Sequence, residues 1–250
     1  MYRHVWAEID LDALEYNINE ILKIVPAEKV MGVVKANAYG HGAAVYAESL
    51  MEKGINSFAV SNEYEALSLR TKAKNGLILI LGYVDFSAVK ELSENDITVC
   101  IFDLEYAKAL SKSAEKSGVT LKGHIKINSG MNRLGFSVDN KEEFEDQMDT
   151  LFSLKGLNIT GAFTHYAAAD RDGDEDAEFT EKQYEIFCFA KEIIQKKAEN
   201  SGKTNLCFHS SNSAATLLDT SVRPSDIYRA GIIIYGLTPS AGLKLPFTPK

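Results

Sequence analysis

The sequence predicts an α/β protein folded as a closed (β/α)8 barrel of the TIM type. Its 250 residues match the length that such a barrel commonly occupies as one unit. Short apolar runs alternate along the chain with amphipathic segments, which is the pattern of parallel strands joined by crossover helices. Eight such runs can form barrel strands, and closure leaves no edge of the sheet exposed. A doubly wound open sheet is the structural alternative.

The elements follow from local patterns. A first strand is predicted at Val5–Ile9, after which Asp10 can cap a helix. The apolar stripe of that helix consists of Leu11, Leu14, Ile18, Ile21, Leu22 and Val25. The barrel strands are predicted at Val30–Val34, Ser57–Val60, Leu77–Leu81, Thr98–Phe102, Lys122–Ile127, Ile159–Thr164, Asn205–His209 and Tyr228–Ala230. Helices are predicted between them, including Asn62–Lys72, Phe86–Glu94, Leu104–Lys116 and Thr180–Asn200.

Two segments depart from this pattern. The acidic run DRDGDEDAE at residues 170–178 is expected to be a solvated loop, since neither the spacing nor the closing glutamate of an EF-hand is present. The tail from Pro239 to Lys250 contains three of the five prolines and has no apolar period, so it is expected to be a linker. The barrel is therefore predicted to span residues 11–238.

Composition excludes several classes of function. The net charge is -8 and no cluster of Lys and Arg occurs, which argues against nucleic-acid binding. The most apolar stretches, 76–84 and 230–237, are far shorter than the ~20 residues of a membrane helix, so no membrane insertion is expected. The three cysteines lie far apart, and His41, His124 and His209 are not spaced as metal ligands, so no metal site is expected. Because no signal segment opens the chain, the expected location is cytoplasmic.

The most informative segment is VVKANAYGHG at residues 33–42, in which a lysine ends a buried apolar strand. Barrel enzymes place catalytic groups at the carboxyl ends of their strands. A partly desolvated amine at that position can form a Schiff base with a carbonyl cofactor. Taken alone, however, Lys35 fits a solvated lysine just past a strand better.

Seven further segments, together with this one, resemble alanine racemases. They are AEIDLDALEYN from Ala7, SNEYEALSLR from Ser61, LGY from Leu81, KINSGMNRLGF from Lys126, GAFTHYAAAD from Gly161, HSSNSAATL from His209 and RAGIIIYGL from Arg229. The resemblance extends over nearly all of the chain and implies the N-terminal barrel domain of that family. It also implies interconversion of L-alanine and D-alanine for peptidoglycan precursors, with pyridoxal 5'-phosphate as the cofactor.

The resemblance implies roles for residues around that cofactor. Lys35 would hold it covalently and act as one of two proton-transferring bases. Tyr39 would lie near the phosphate, and Leu81 would lie beside the ring. The phosphate would be held at a helix start by Asn212, Ser213, Gly231 and Ile232.

Further residues would act on the ring and on the substrate. Arg133 would contact the phenolic oxygen of the cofactor and approach the substrate carboxylate. Lys126 matches a lysine that many relatives carry as a carbamate orienting this arginine. Because Asn128 stands where many relatives have Asp, a carbamate and an unmodified lysine both remain open. Arg229 would face the pyridine nitrogen, which a guanidinium cannot readily protonate, and His165 would hydrogen-bond that arginine.

Several of these residues also have an ordinary explanation when they are taken alone. These explanations are a packed aromatic for Tyr39, a core leucine for Leu81, a satisfied core histidine for His165, helix capping for Asn212 and Ser213, and a surface arginine for Arg229. Glu63 and Glu65 are predicted to be helix-start charges that the helix dipole favours.

In the family resembled, a mostly β domain follows the barrel and supplies a tyrosine as the opposite base, usually across a homodimer interface. Residues 1–10 would form a strand packing on that domain, and residues 239–250 would lead toward it. The chain by itself is therefore expected to bind cofactor weakly and to racemise alanine poorly or not at all. Three alternatives stay open: a serine racemase of the same family, a single-domain pyridoxal-phosphate-binding homeostasis protein, and a barrel that does not use the cofactor.

Overall fold

The computed structural model describes residues 6–170, 173–240 and 243–250. Within these residues, eight parallel strands form one sheet in the order β7-β6-β5-β4-β3-β2-β1-β8. The strands are β1 Val30–Val33, β2 Ser57–Val60, β3 Ile78–Ile80, β4 Ile97–Ile101, β5 Leu121–Lys126, β6 Leu157–Phe163, β7 Cys207–His209 and β8 Tyr228–Ala230. This order continues around the sheet without the reversal that defines a doubly wound fold. The predicted barrel is confirmed, and the open-sheet alternative is wrong.

At the seam between β7 and β8, hydrogen bonds from the residues that precede β8 close the barrel. No strand ladder joins these two strands in the part of the chain that the structure describes. Instead, the Asp226 amide donates to the carbonyl oxygen of Phe208 at 2.9 Å, and the Asp226 carboxylate accepts from the Phe208 amide at 2.7 Å. Ser225 adds a contact, because its Oγ accepts from the Ser210 amide at 3.2 Å. The residues that lead into β8 therefore replace the missing ladder.

Helices surround the sheet. The right-handed α-helices are Leu11–Leu22, Ala43–Glu52, Glu63–Arg70, Val89–Glu94, Leu104–Lys116, Lys141–Ser153, Asp174–Asn200 and Ser213–Leu218. Short 3-10 helices lie at Ala27–Lys29, Phe86–Ala88 and Ile232–Tyr235. The predicted cap at Asp10 is confirmed, since its carboxylate accepts from the amides of Asp12 and Ala13 at 2.9 and 3.0 Å. None of the described helices combines the length and apolarity needed to cross a membrane.

The strands separate two apolar regions. One lies between the sheet and the helices, and a smaller one on the lumen side consists of Met31, Val33, Ala59, Leu79, Cys100, Phe163 and Ile227. Because side chains alternate along a strand, every second residue of β5, β7 and β8 points into the lumen. The lumen residues nearer the carboxyl ends of these strands are polar, namely His124, Lys126, His209 and Arg229. Polar and apolar side chains therefore share the lumen, since Met31 pairs with Arg229 and Cys100 pairs with His124 in the strand register.

Two sequence predictions are wrong for the described residues. Residues 6–9 of the predicted strand Val5–Ile9 are not in a strand, and Val5 lies outside the described residues. The acidic run is not a loop beyond Gly173, because the long helix begins at Asp174 rather than at Thr180. Three acidic residues occupy its first turn, where the positive end of the helix dipole stabilises them. Residues 171 and 172 of that run lie outside the described part.

The described end of the tail contacts the first helix. Asn17 holds Lys250 through a pair of hydrogen bonds, one accepted from its amide at 2.9 Å and one donated to its carbonyl oxygen at 2.8 Å. Phe247 packs edge-on against Tyr16 and, with Leu245, lies against the core. These contacts do not test a domain division, so the linker at 239–250 stays a prediction.

Candidate active site

A cavity of about 580 Å³ opens at the carboxyl ends of the strands. Its volume is within the range of small-molecule sites, and its position is where barrel enzymes bind ligands. All residues singled out above for chemistry line it: Lys35, Tyr39, Leu81, Lys126, Arg133, His165, Asn212, Ser213, Arg229, Gly231 and Ile232. The structure therefore brings together residues that are spread over almost 200 positions of the sequence.

The charge of the cavity wall favours an anionic ligand. Four basic side chains, Lys35, Lys126, Arg133 and Arg229, line it, and Lys126 is only partly charged at neutral pH. Among the described lining residues, Asp170 is the one carboxylate. Cations that outnumber acids in a concave, partly desolvated site attract phosphate and carboxylate groups strongly.

Lys35 stands at the beginning of a left-handed turn. Ala36, Asn37, Ala38 and Tyr39 all have φ between 52° and 54°. This conformation costs a non-glycine residue roughly 1–2 kcal/mol, so the surrounding structure must hold the turn in place. One restraint is the Ala38 amide, which donates to the carbonyl oxygen of Val34 at 2.8 Å. Another is the Asn37 side chain, which accepts from the Ala43 amide at 2.9 Å.

An aromatic cluster packs beside this turn. The Tyr39 ring meets Tyr235 edge-on at 5.0 Å, and Tyr235 stacks on Tyr46 at 4.9 Å. The Tyr235 hydroxyl donates to the carbonyl oxygen of Val33 at 2.8 Å. Burial raises the pKa of Tyr39, so its hydroxyl keeps its proton at neutral pH and can act as a donor. The Lys35 ammonium lies 5.9 Å from the centroid of the Tyr39 ring.

Two hydroxyl groups and a glycine form a cradle in the cavity that Lys35 lines. The Gly231 amide donates to Ser213 Oγ at 2.9 Å, which leaves the Ser213 hydroxyl proton available for another acceptor. A Cβ at Gly231 would lie 3.5 Å from Ser213 Oγ and 3.8 Å from the Tyr39 hydroxyl oxygen. Glycine therefore leaves open the space between these two hydroxyl groups.

The neighbouring Asn212 has structural contacts. Its Oδ1 accepts from the Ala215 amide at 3.1 Å and so caps the helix Ser213–Leu218. Its Nδ2 donates to the carbonyl oxygen of Tyr166 at 3.3 Å. Both ends of the side-chain amide are thus engaged with the protein, which fits the capping explanation for this residue.

Arg229 is fully enclosed in the lumen and holds the carboxyl ends of three strands together. Its NH2 donates to the carbonyl oxygens of Thr164 at 2.6 Å and Ser210 at 3.0 Å. Its NH1 donates to His209 Nδ1 at 2.8 Å, and His209 Nε2 then pairs with His124 Nδ1 at 3.0 Å. Because a guanidinium only donates hydrogen bonds, His209 Nδ1 is the acceptor and His209 carries its proton on Nε2. His209 Nε2 therefore donates to His124 Nδ1.

The expectation that His165 hydrogen-bonds Arg229 is therefore wrong, and His209 makes that bond. The register of β6 and β7 pairs His209 with Phe163, which precedes His165 by two residues. His209 therefore lies deeper in the barrel than His165 and reaches the guanidinium. His165 lines the cavity, and burial together with the nearby charge of Arg229 lowers its pKa well below the ordinary value. Gln183 fixes its backbone by donating to the His165 carbonyl oxygen at 3.3 Å and accepting from the Ala167 amide at 2.8 Å.

Lys126 carries an unpaired amine in the polar lumen. Burial, and then the charge of Arg229, lowers its pKa to about 7. Its Nζ lies 4.6 Å from the centroid of the Phe163 ring, and among the described residues no acid forms an ion pair with it. At neutral pH a large fraction of this amine is therefore unprotonated and nucleophilic.

Arg133 lies in the loop that follows β5. A bridge between Ile127 and Phe136 closes this loop, and Asn128 Oδ1 accepts from the Asn132 amide at 3.0 Å. The guanidinium of Arg133 is exposed at the cavity and makes no hydrogen bond or ion pair with other described residues. It is therefore free to bind an anion.

Replacing Lys126 by methionine is expected to stabilise the protein near pH 7, with the advantage shrinking as pH rises. The folded-state pKa is about 7, whereas the ordinary value is 10.5. Between these values the unfolded chain binds a proton that the folded chain does not bind. Wild-type stability therefore rises with pH across this window, by on the order of 1.4 kcal/mol per pH unit. Below the window both states are protonated, and the full cost of burying the ammonium remains.

Thermal unfolding of wild type and Lys126→Met, in buffer free of carbon dioxide, measures this difference near pH 7 and at pH about 10. Lys122→Met controls for loss of a lysine from the same strand, because Lys122 is half-exposed and paired with Asp96. An advantage of Lys126→Met that is the same at both pH values would contradict the prediction.

Several lining residues were not singled out from the sequence. Four of them are Ser61, Met131, Tyr166 and Asp170, which all belong to the segments that resemble the family but carry no further signal that marks them as cavity residues. His209 was considered only as a metal ligand. In the described part of the chain, no three His, Cys, Asp or Glu side chains are grouped so that they could hold a metal ion.

Comparison with known proteins gives the family. Residues 9–239 match the sequence model of the N-terminal domain of alanine racemase. The alanine racemase of Methanococcus maripaludis is 40% identical over 238 residues, which are 94% of this chain and 61% of that protein. Alanine racemase 2 of Caldanaerobacter subterraneus is 37% identical over 234 residues, which are 93% of this chain and 58% of that protein.

Solved structures agree. The alanine racemase of Clostridium difficile 630 superposes with a TM-score of 0.83 at 34% identity, covering 97% of this chain and 61% of that one. The Bacillus anthracis alanine racemase with bound L-Ala-P superposes with a TM-score of 0.86 at 32% identity, covering 100% of this chain and 63% of that one. The chain thus spans about three fifths of the length of these relatives. It belongs to the alanine racemase family, in which it corresponds to the N-terminal barrel domain.

Proposed function

We propose that this barrel binds pyridoxal 5'-phosphate through Lys35 and serves the interconversion of L-alanine and D-alanine. One observation carries the proposal: an amine at a strand end shares one cavity with a hydroxyl cradle and a buried guanidinium on other strands. These are the groups that a flat, phosphate-bearing aldehyde with a basic ring nitrogen requires. The family supports the same activity, and the Bacillus anthracis relative has L-Ala-P bound.

The donors of the cradle fit a phosphate. Ser213 has a free hydroxyl proton, and the Tyr39 hydroxyl keeps its proton. The Ile232 amide is the first of a 3-10 helix and therefore has no acceptor within that helix. The Gly231 amide, by contrast, is used by Ser213, so in this arrangement it orients the serine. Ser213, Tyr39 and Ile232 would hold the phosphate, and Gly231 would make room for it.

Lys35 and Arg229 then divide the chemistry. The bound cofactor supplies a ring that withdraws electrons from the α-carbon of the amino acid. Lys35 Nζ is the group on this chain that would attach the cofactor and take up or return a proton on one face. Burial lowers the pKa of Arg229 only to about 10, so its guanidinium keeps its protons at neutral pH. A ring nitrogen facing Arg229 would receive a hydrogen bond but no full proton, which limits electron withdrawal.

Arg133 would bind the carboxylate of the amino acid. A guanidinium is permanently charged and offers a planar pair of donors, and Arg133 has no competing partner among the described residues. His165 and Leu81 would line the ring, with His165 neutral because of its lowered pKa. These contacts would fix the orientation of the ring and of the substrate carboxylate.

The neutral amine of Lys126 supports the carbamate alternative for this residue. In that reaction the amine attacks carbon dioxide, an N–C bond forms, and one N–H proton passes to water. The resulting anion would lie among Arg229, Arg133 and Lys35 in a site with few other negative charges. Carbon-13 NMR of protein equilibrated with labelled bicarbonate should show a carbamate resonance that is absent from Lys126→Met. A spectrum identical in the two proteins would leave Lys126 as an unmodified lysine.

Titration of the 250-residue protein with pyridoxal 5'-phosphate, followed by chiral chromatography of alanine and serine, tests the function. We expect an absorbance band at about 420 nm and conversion of alanine that exceeds conversion of serine. We also expect slow turnover from these 250 residues by themselves, since racemisation needs proton transfer on both faces and Lys35 serves only one. No band at saturating cofactor would refute the proposal. The assay is repeated after addition of the part of a relative that this chain does not match. A band without conversion of either amino acid in both assays would indicate a cofactor-binding protein instead.

A further inference from the structure

We propose that Glu65 is a positioning residue for Lys35, an inference that rests on the proposed function. Glu65 Oε1 accepts a hydrogen bond from the Ala36 amide at 2.8 Å, and Glu65 Oε2 accepts one from the Ser61 amide at 2.8 Å. One carboxylate thus joins the residue that follows Lys35 to the residue that follows β2. We call this pair of hydrogen bonds the Glu65 clamp.

The clamp acts at the point where the backbone is most strained. Ala36 is the first of four consecutive residues with φ near +53°, and its amide has no other acceptor among the described residues. Without the carboxylate, this exposed amide would bond to water, and the unfavourable conformation would lose the restraint that ties its first residue to the end of β2. The direction in which Lys35 leaves β1 depends on this first residue. The clamp therefore determines where the Lys35 side chain enters the cavity.

Glu65 is itself held in place by the N-terminal cap of its helix. Its amide donates to Asn62 Oδ1 at 3.0 Å, which caps the helix Glu63–Arg70 at its first turn. On the other side, Val34 and Ala59 join β1 to β2, since the Val34 amide donates to the Ala59 carbonyl oxygen at 3.0 Å. A capped helix and a strand pair therefore fix both ends of the clamp.

The two hydrogen bonds of the Glu65 clamp require a carboxylate and not a carboxamide at residue 65. Each of the two oxygens faces one N–H donor, and each bond is strengthened by the negative charge. In Glu65→Gln one oxygen becomes an NH2 group, so an amide N–H would face another donor. The substitution preserves size and shape but breaks one of the two bonds. It therefore separates the clamp from simple packing.

Glu63 provides a matched control for the effect of helix-start charge. It lies in the same first turn and carries the same charge, so the helix dipole favours both residues. Its described hydrogen bond is a long one, accepted from the Asp85 amide at 3.5 Å. Glu63→Gln thus removes the favourable charge and leaves the Glu65 clamp intact.

Two readouts on wild type, Glu65→Gln and Glu63→Gln test the proposal. The first is amide hydrogen exchange of the peptide covering residues 33–42, measured without cofactor. The second is the rate at which the band at about 420 nm forms with pyridoxal 5'-phosphate as a function of pH. Thermal unfolding identifies any variant that is globally destabilised.

We expect Glu65→Gln to raise exchange in residues 33–42 and to slow band formation by about tenfold. Glu63→Gln should stay within about twofold of wild type in both readouts. Equal behaviour of Glu65→Gln and wild type in both readouts would overturn the proposal, as would equal losses in both variants. If wild type forms no band, the proposed function fails, while the exchange comparison still decides whether the clamp holds the turn.

Discussion

Replacing Lys35 by alanine is expected to abolish covalent attachment of pyridoxal 5'-phosphate to this protein. Lys35 follows the end of β1 and lines the same cavity as Tyr39 and Ser213, whose hydroxyl groups flank Gly231. Alanine removes the amine but leaves the phosphate cradle intact. The band at about 420 nm should disappear, while weak non-covalent binding should remain. Absorbance titration and mass spectrometry after borohydride reduction measure the two effects separately.

Lys126→Met is the control for this experiment, because Lys126 is the second lysine of the same cavity and its pKa is lowered to about 7 by burial. Reduction should label the peptide that contains Lys35 in wild type and in Lys126→Met, and no cavity peptide in Lys35→Ala. Labelling of Lys126 in wild type would refute the assignment of Lys35, since it would identify the other amine as the site of attachment.

The barrel could be predicted because its signals are local and repeated. Strand positions follow from short apolar runs, and the predicted strands agree with the observed ones within a few residues. The seam between β7 and β8 could not be predicted in this way. Its bonds connect Asp226 and Ser225 with Phe208 and Ser210, and no periodic pattern marks a side chain that takes the place of a strand ladder.

The long helix shows a different limit. Its apolar period begins near Thr180, and the sequence therefore predicts a helix start there, whereas the helix begins at Asp174. The preceding residues are acidic and lack an apolar stripe, which indicates a loop by composition. Their charge nevertheless suits the first turn of a helix, so the same residues that predict solvent exposure also stabilise the helix start.

Most of the candidate site followed from the motifs, but one histidine did not. Both His165 and His209 come at the ends of neighbouring strands, so either could have reached Arg229. The choice depends on strand register, which pairs His209 with Phe163 and so places His165 higher. Register is a property of the folded sheet, and it cannot be obtained from either segment alone.

The turn after Lys35 was also beyond sequence analysis. Four residues with positive φ precede Gly40, and none of them is a glycine, so the segment carries no signal for a left-handed conformation. Glu65 was interpreted from its position at a helix start, and that interpretation omits its contact with Ala36, 29 residues away. Tertiary hydrogen bonds therefore override the local conformational preference of these residues.

Replacing Arg229 by methionine is expected to lower the free energy of unfolding by about 3 kcal/mol and to weaken cofactor binding about tenfold. The substitution leaves His209 Nδ1 and the carbonyl oxygens of Thr164 and Ser210 without their donor in a buried site. Removal of a desolvated cation offsets part of this loss, because Arg229 has a pKa lowered to about 10 by burial. Thermal unfolding of the protein without cofactor and absorbance titration with pyridoxal 5'-phosphate measure the two effects.

Arg70→Met is the matched control for this substitution. Arg70 is also buried, and it too serves backbone carbonyl oxygens, those of Ala73, Gly76, Asn95 and Asp96. It does not line the cavity, so its loss should destabilise the fold and leave cofactor affinity unchanged. Arg229 uses three of the five N–H donors of a guanidinium on the protein and leaves two for a group in the cavity. If both variants weakened the cofactor equally, Arg229 would be a structural residue of the strand ends, and its proposed contact with the cofactor would be wrong.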